Sequence, residues 1–161
     1  MERTGATPKI VASTLIIVLG AGLWACSGQD PLPGGIQDTP AGRGQMLMQT
    51  MGCPSCHQST DMNDGVLSGQ MTPIAGTQAY PANLTPDKDT GIGSWSDDQV
   101  IRAIRIGIDD QKASLCHSMP HFSGMDDGTA VAIVAYLRSL PPVSHTIPGS
   151  VCPPVKSPAG P

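Results

Sequence analysis

Aromatic side chains are almost absent: the 161 residues include two Trp, two Tyr and one Phe. Rings normally supply much of the bulk at the centre of a domain, each burying about 150–250 Å². A chain this poor in them either stays partly unfolded or closes around something large and apolar that is not protein. Charge is also sparse, at 14% of residues with a formal net of −4. That balance lacks the basic excess of a nucleic-acid binder and the dense charge of a disordered acidic chain, so nucleic acid is excluded as a partner. Glutamate occurs once, as Glu2, and every other acid is Asp. The length excludes a multidomain enzyme, since one core usually takes about 100–200 residues. There is no internal repeat, and no stretch alternates apolar and polar residues over the length of a strand. What the chain has instead is 19 Gly and 16 Pro, the residues of turns and loops.

The two ends read as non-domain segments. Arg3 and Lys9 precede an apolar run from Ile10 to Trp24 that is too short for an ordinary membrane span and has the build of an export signal. Leu23-Trp24-Ala25-Cys26 has the pattern of a bacterial lipobox, in which the Cys26 thiol is acylated and becomes the new N-terminus. Ser27, not Asp, follows, which resembles the default sorting to an outer membrane. The expected organisation is a signal over residues 1–25, a Pro/Gly-rich tether over 26–40, a folded unit over 41–143 and a C-terminal tail over 144–161. Residues 26–161 hold seven basic against twelve acidic side chains, a net charge of −5.

Within the folded unit the expected class is all-α, with about three main helices and long loops. Thr39-Pro40 opens a helix that runs to Met51 and stops at Gly52, with Leu47, Met48 and Met51 on one face. Residues 65–93 are rich in turn formers and form a loop of the length that usually wraps a ligand. Ser96 and Gln99 form a capping box before a stripe of Val100, Ile101, Ile104 and Ile108, with Gly107 near the helix end. A third helix starts near Asp126-Asp127, carries Val131, Val134, Ala135 and Leu137 to Leu140, and is stopped by Pro141-Pro142.

Between the first helix and the long loop stands Cys53-Pro54-Ser55-Cys56-His57. C-x-x-C-H is the attachment motif of c-type haem. Two thiols three residues apart on one helical turn reach the two vinyl groups on one porphyrin edge, and the adjacent imidazole then lies under the iron as its proximal ligand. A covalently held macrocycle also supplies the flat apolar core that the side chains do not. Two other readings use the same residues. A C-P-x-C dithiol redox site needs strand–helix–strand units around it, and a zinc site would draw on Cys53, Cys56, Cys116 and His117 or His121. For the second axial ligand Met119 is preferred, because Pro120 restricts its backbone and holds the thioether forward. Met125, His117 and His121 are the alternatives. Cys116 and Cys152 are left over as an even pair in an oxidising compartment and are expected to form a disulfide that pins the tail beside the Met119 loop.

Taken together, Cys53–His57, Asn83-Leu-Thr-Pro-Asp87, Thr90 to Asp97, Met119-Pro120 and Ala135 to Pro142 resemble the class I cytochromes c. The likeness is specifically to cytochrome subunits of periplasmic alcohol and sugar-acid dehydrogenases and to related monohaem proteins. The resemblance covers residues 41–143 and implies one covalent haem c on Cys53 and Cys56, with His57 and Met119 as axial ligands. It also implies that the first and third helices cross near Gly44 and Tyr136. By the same resemblance residues 83–95 line the propionate side of the haem, with Trp95 and Arg102 as candidate partners. Gln58 stands where Gly is frequent, Cys116 and Cys152 are additions, and one haem motif replaces the several of the dehydrogenase subunits. The function implied is one-electron transfer without substrate chemistry, on the periplasmic or extracellular side. The partners implied are redox proteins with a basic docking surface, and a membrane reached through the lipid anchor. The competing functions are a haem-based small-molecule reductase or peroxidase, and a redox- or gas-sensing subunit, each with a labile sixth ligand.

Overall fold

The computed structural model describes residues 32–60 and 66–153. The signal over 1–25, the Cys26 lipobox, Met62 and residues 154–161 lie outside the described residues.

Helix α1 (Pro40–Thr50) begins where Thr39 Oγ1 accepts the Gly42 N–H at 3.0 Å, with Pro40 in the first turn where its missing donor costs nothing. Gly44 and Met48 are its buried positions. Gly52 then takes a left-handed turn, φ 78°, and Cys53 N–H returns to Met48 O at 3.1 Å. That reversal sets up α2 (Pro54–His57), a single turn that carries the thiol–imidazole motif. Helix α3 (Asp97–Ile106) opens on the capping box, Ser96 and Gln99 each bonding the other's backbone N–H. It ends at Gly107 in the left-handed region, φ 67°. Helix α4 (Asp127–Ser139) is capped by Asp126, which accepts from Thr129 N at 2.9 Å.

Helices α1 and α4 form the main packed pair. They approach so closely at Gly44 that a Cβ there would run into the Ala132 carbonyl and lie 2.9 Å from Tyr136 Cβ, the crossing expected from the resemblance. Met48, Leu67, Ile92, Val100, Ile133, Val134, Leu137 and Leu140 form the core, with α3 laid against α4. The core face of α4 is Ala130, Ile133, Val134 and Leu137. Val131, expected in the apolar stripe, is instead 56% exposed, because it sits two positions out of phase with Ile133. Ile108 likewise falls beyond the end of α3 and forms an isolated bridge with Ser114.

Residues 66–95 contain no helix or strand among the described residues, yet every turn of this loop is tied down. Buried Asn83 is the main fastener. Its Nδ2 donates to Val143 O (2.8 Å) and Thr90 Oγ1 (3.2 Å), and its Oδ1 accepts from Thr85 N and Oγ1 at 2.9 and 2.8 Å. A side-chain amide offers two donors and two acceptor lone pairs, and all four are used here. The segments expected to be loose also differ from expectation. Residues 32–40 contain a 3₁₀ turn, Pro33–Gly35, closed by a Leu32–Ile36 bridge, with Asp38 paired to Arg43 of α1. Beyond Val143 the chain runs back along the long loop. His145 N donates to Thr90 Oγ1 and its Nδ1 pairs with Ser68 O, both at 2.9 Å, and Val151 bridges Gln78. Backbone and side-chain partners supplied by the loop hold this tail in place, which no periodicity in its own sequence signals.

Candidate functional site

α2 is built to present three side chains from one turn. Cys53 O accepts the N–H groups of both Cys56 and His57, at 3.3 and 3.0 Å, so both thiols and the imidazole leave the same tight coil. Cys53 and Cys56 are free thiols and half-buried. Burial pushes the Cys53 thiol above its ordinary pKa, against the pull of a hydrogen bond from its own backbone, with the neighbouring Cys56 adding to the rise. Burial thus works against the thiolate that a dithiol nucleophile would need.

His57 is fixed from two directions. Its carbonyl accepts Gly69 N–H at 2.9 Å, and its Nδ1 lies 2.9 Å from Ala82 O. A carbonyl can only accept, so the proton sits on Nδ1 and the lone pair on Nε2 faces away from this bond. Burial lowers the imidazole pKa, while the bond to Ala82 works the other way. A neutral ring with a free Nε2 and an oriented Nδ1–H is the form that ligates a metal.

Met119 lies in a turn between α3 and α4 where its N–H reaches back to Cys116 O at 3.0 Å, and it is half-buried. Met125 is packed against the core and lines an apolar cavity of about 290 Å³ with Met51, Phe122, Gly124 and Thr129. His117 and His121 are both exposed, their ring centroids 5.9 Å apart, and the His121 ring rests on Gly107, where a Cβ would collide with it. Cys116 and Cys152 are joined by a disulfide. That bond takes Cys116 out of the four-ligand zinc set. The dithiol redox alternative finds no strand among the described residues on which to build its fold.

A family model for cytochrome c matches residues 41–141. The chain belongs to the cytochrome c family. Its cytochrome c domain is similar to a diheme cytochrome c-type protein of Cereibacter sphaeroides, 32% identical over 139 residues, covering 80% of this chain and 46% of that protein. It is 35% identical over 127 residues to the gluconate 2-dehydrogenase cytochrome c subunit of Pantoea cypripedii, covering 67% and 28% of the two chains. It is 25% identical over 130 residues to the fructose dehydrogenase cytochrome subunit of Gluconobacter japonicus, covering 80% and 27%. The chain thus spans less than half the length of these relatives.

A cytochrome c domain carries covalent haem c, and the residues present fit that group. Two free thiols and an imidazole with an open nitrogen share one turn. Around the small core stand Leu84, Trp95, Ile101, Ile104 and Met125, apolar side chains that stay partly exposed.

Two residues important to the site went unread in the sequence. Ala82 acts through its carbonyl, which any residue type provides, so no signal existed. Arg138, an arginine in the last turn of an apolar helix, donates from Nη1 to Ile92 O (2.8 Å) and from Nη2 to Trp95 O (2.6 Å), and pairs with Asp97 at 3.0 Å. It clamps the Trp95 segment onto α4. Arg102, a candidate for the propionate side, gives its Nη2 to Asp109 O at 2.6 Å.

Proposed function

We propose that this protein is a monohaem c-type cytochrome that passes single electrons between redox proteins outside the cytoplasmic membrane. The observation that carries the reading is the bond from His57 Nδ1 to Ala82 O, which supports a metal-ligating role for Nε2 on the turn that holds both cysteines. In this reading Cys53 and Cys56 would hold the haem covalently through their sulfurs, and His57 Nε2 and Met119 Sδ would ligate its iron. When bound, the haem supplies an iron that cycles between Fe(II) and Fe(III).

The rest falls to the chain. Ala82 holds the proton on His57 Nδ1 and orients the ring. Leu84, Trp95, Ile101 and Ile104 exclude water. Met119 is supported over Met125, because Met125 is engaged in packing while Met119 sits in a turn braced by Pro120 and the disulfide. One C-x-x-C-H in the sequence, with the remaining described cysteines cross-linked, supports a single haem.

Export by residues 1–25 and acylation at Cys26 place the domain on the periplasmic or extracellular face of a membrane. The relatives' names, cytochrome subunits of gluconate and fructose dehydrogenases, support redox enzymes as electron donors. Chemistry on a substrate then belongs to such a partner and not to this chain.

Optical spectra of the haem-loaded protein in both redox states test the assignment. Low-spin bands, a weak far-red sulfur-to-ferric band that disappears in Met119→Ala, and slow carbon monoxide binding are the expected result. A high-spin spectrum with fast carbon monoxide binding overturns it in favour of a small-molecule reductase or sensor.

A further inference from the structure

We infer that the Cys116–Cys152 disulfide is a thiol-exchange site through which a dithiol reductant decides whether Met119 can hold the haem iron. The inference rests on the His57/Met119 ligation proposed above. Among the described residues the hydrogen bonds of segment 116–121 stay inside the segment, Met119 N–H donating to Cys116 O. Its flanks are pinned, Leu115 N to Gly107 O at 2.8 Å and Phe122 N to Ile104 O at 3.0 Å. Between those flanks, the contact of His121 with Gly107 and the bond to Cys152 tie the Met119 turn to the rest of the fold, the disulfide being its covalent tie.

The far end of that tie is anchored on the long loop. Val151 N donates to Gln78 O at 2.9 Å, and Ser150 Oγ accepts from Tyr80 N at 2.8 Å. Two residues after Tyr80, Ala82 receives the proton-bearing nitrogen of His57. A continuous run therefore joins the carbonyl that orients the proximal imidazole to the turn that offers the distal thioether, and the disulfide is its covalent link. A thioether is a weak ligand that stays on iron because it is held there. Cutting the link releases a closure of 36 residues and restores freedom to that turn.

The two cysteines differ in exposure. Cys152 is exposed and follows Val151, itself 62% exposed, while Cys116 is half-buried. A reductant thiolate accordingly attacks Cys152 Sγ. A new S–S bond forms to Cys152, the Cys116–Cys152 bond breaks, and the electron pair leaves on Cys116 Sγ, which takes up a proton. The reductant's second thiol then attacks its own sulfur in the mixed disulfide and frees Cys152 as a thiol. Two electrons and two protons pass from the dithiol to the pair. Cys53 and Cys56, as thioethers, take no part. The partner is thus an exported dithiol protein that reaches the exposed Cys152.

The experiment uses the full haem-loaded chain. It is treated with dithiothreitol, alkylated with iodoacetamide, freed of reagents and reoxidised at the iron with ferricyanide, with alkylation of two thiols verified by mass. Protein alkylated without prior reduction is the control, and the Cys116→Ser/Cys152→Ser double variant is the genetic counterpart. The expected result is loss of most of the far-red band and a rise of about tenfold in the carbon monoxide binding rate of the ferrous protein. An unchanged band and an unchanged rate in the doubly alkylated protein overturn the inference. A far-red band absent from the control fails the Met119 assignment itself, and the inference falls with it by a different route.

Discussion

At the scale of single residues, the carboxylates of Asp126 and Asp87 hold their local structure through charge. Asp126 accepts from Thr129 N and Oγ1 at the start of α4, and these bonds hold its pKa below the usual Asp value. Asp87 is lowered in the same way by the side chain and then the backbone of Thr90. A carboxylate lowered in the native state contributes stability that is complete above its unfolded pKa, about 3.9, and that disappears as pH falls through the lower native value. Asn also caps helices well, so Asp126→Asn removes the charge while keeping the acceptor. Thermal midpoints of the two proteins should differ at pH 6 and converge on acidification below about pH 4, and parallel curves would show that the charge contributes nothing. Gly44 belongs to the same scale. Its crossing with α4 was expected by resemblance and is present, and Gly44→Ala should cost about 3 kcal/mol in denaturant unfolding, because a methyl meets a backbone carbonyl that cannot move aside. Ala82 shows the limit of single-residue reading: its function lies in a carbonyl that carries no residue type.

Among the elements, those with local causes were legible and those held by distant ones were not. The Thr39 and Ser96 caps and the Gly52 and Gly107 reversals are written in adjacent residues, and the helix bounds follow them closely. The phase of α4 was harder, because an apolar run fills both faces, and only packing against Gly44 shows that Ala132 and Ile133 turn inward while Val131 faces water. Arg138 was illegible for a related reason, since its partners lie more than 40 residues away in sequence. Its guanidinium satisfies two loop carbonyls, and charged hydrogen bonds of this kind are worth about 1.5–3 kcal/mol each. Arg138→Met should therefore destabilise the holoprotein by about 3 kcal/mol and perturb Trp95 fluorescence, whereas Asp97→Asn, which removes only the exposed ion-pair partner, should cost under about 1 kcal/mol. Equal effects of the two substitutions would mean that the ion pair, and not the loop clamp, is the contribution that matters.

For the whole molecule, charge and core composition make separate demands. The −5 charge of residues 26–161 gives a basic partner a steering advantage that salt screens over about 8–10 Å at physiological ionic strength. Electron transfer with a cationic redox protein should slow steeply as salt rises, measured by stopped flow, and a flat dependence would remove the basic docking surface. The core makes the stronger demand. The largest of its fully buried side chains among the described residues are Met48, Leu67, Ile133, Leu137, Thr85 and Ser68, and no aromatic ring is among them. Leu84, Trp95, Ile101, Ile104 and Met125 pack against that core and stay partly exposed. The shortage of aromatics in the sequence and the partly exposed apolar side chains around the core agree with a macrocycle as part of that core. Burying apolar area stabilises by roughly 25 cal/mol per Å², and without that contribution the ordering of such long loops has little to offset it. The chain produced without haem, or as Cys53→Ala/Cys56→Ala, should show no cooperative thermal transition by circular dichroism, while the holoprotein melts in a single one. A sharp melt of the haem-free chain would mean that the protein core suffices alone, and the scarcity of aromatic rings would then need a cause other than the macrocycle.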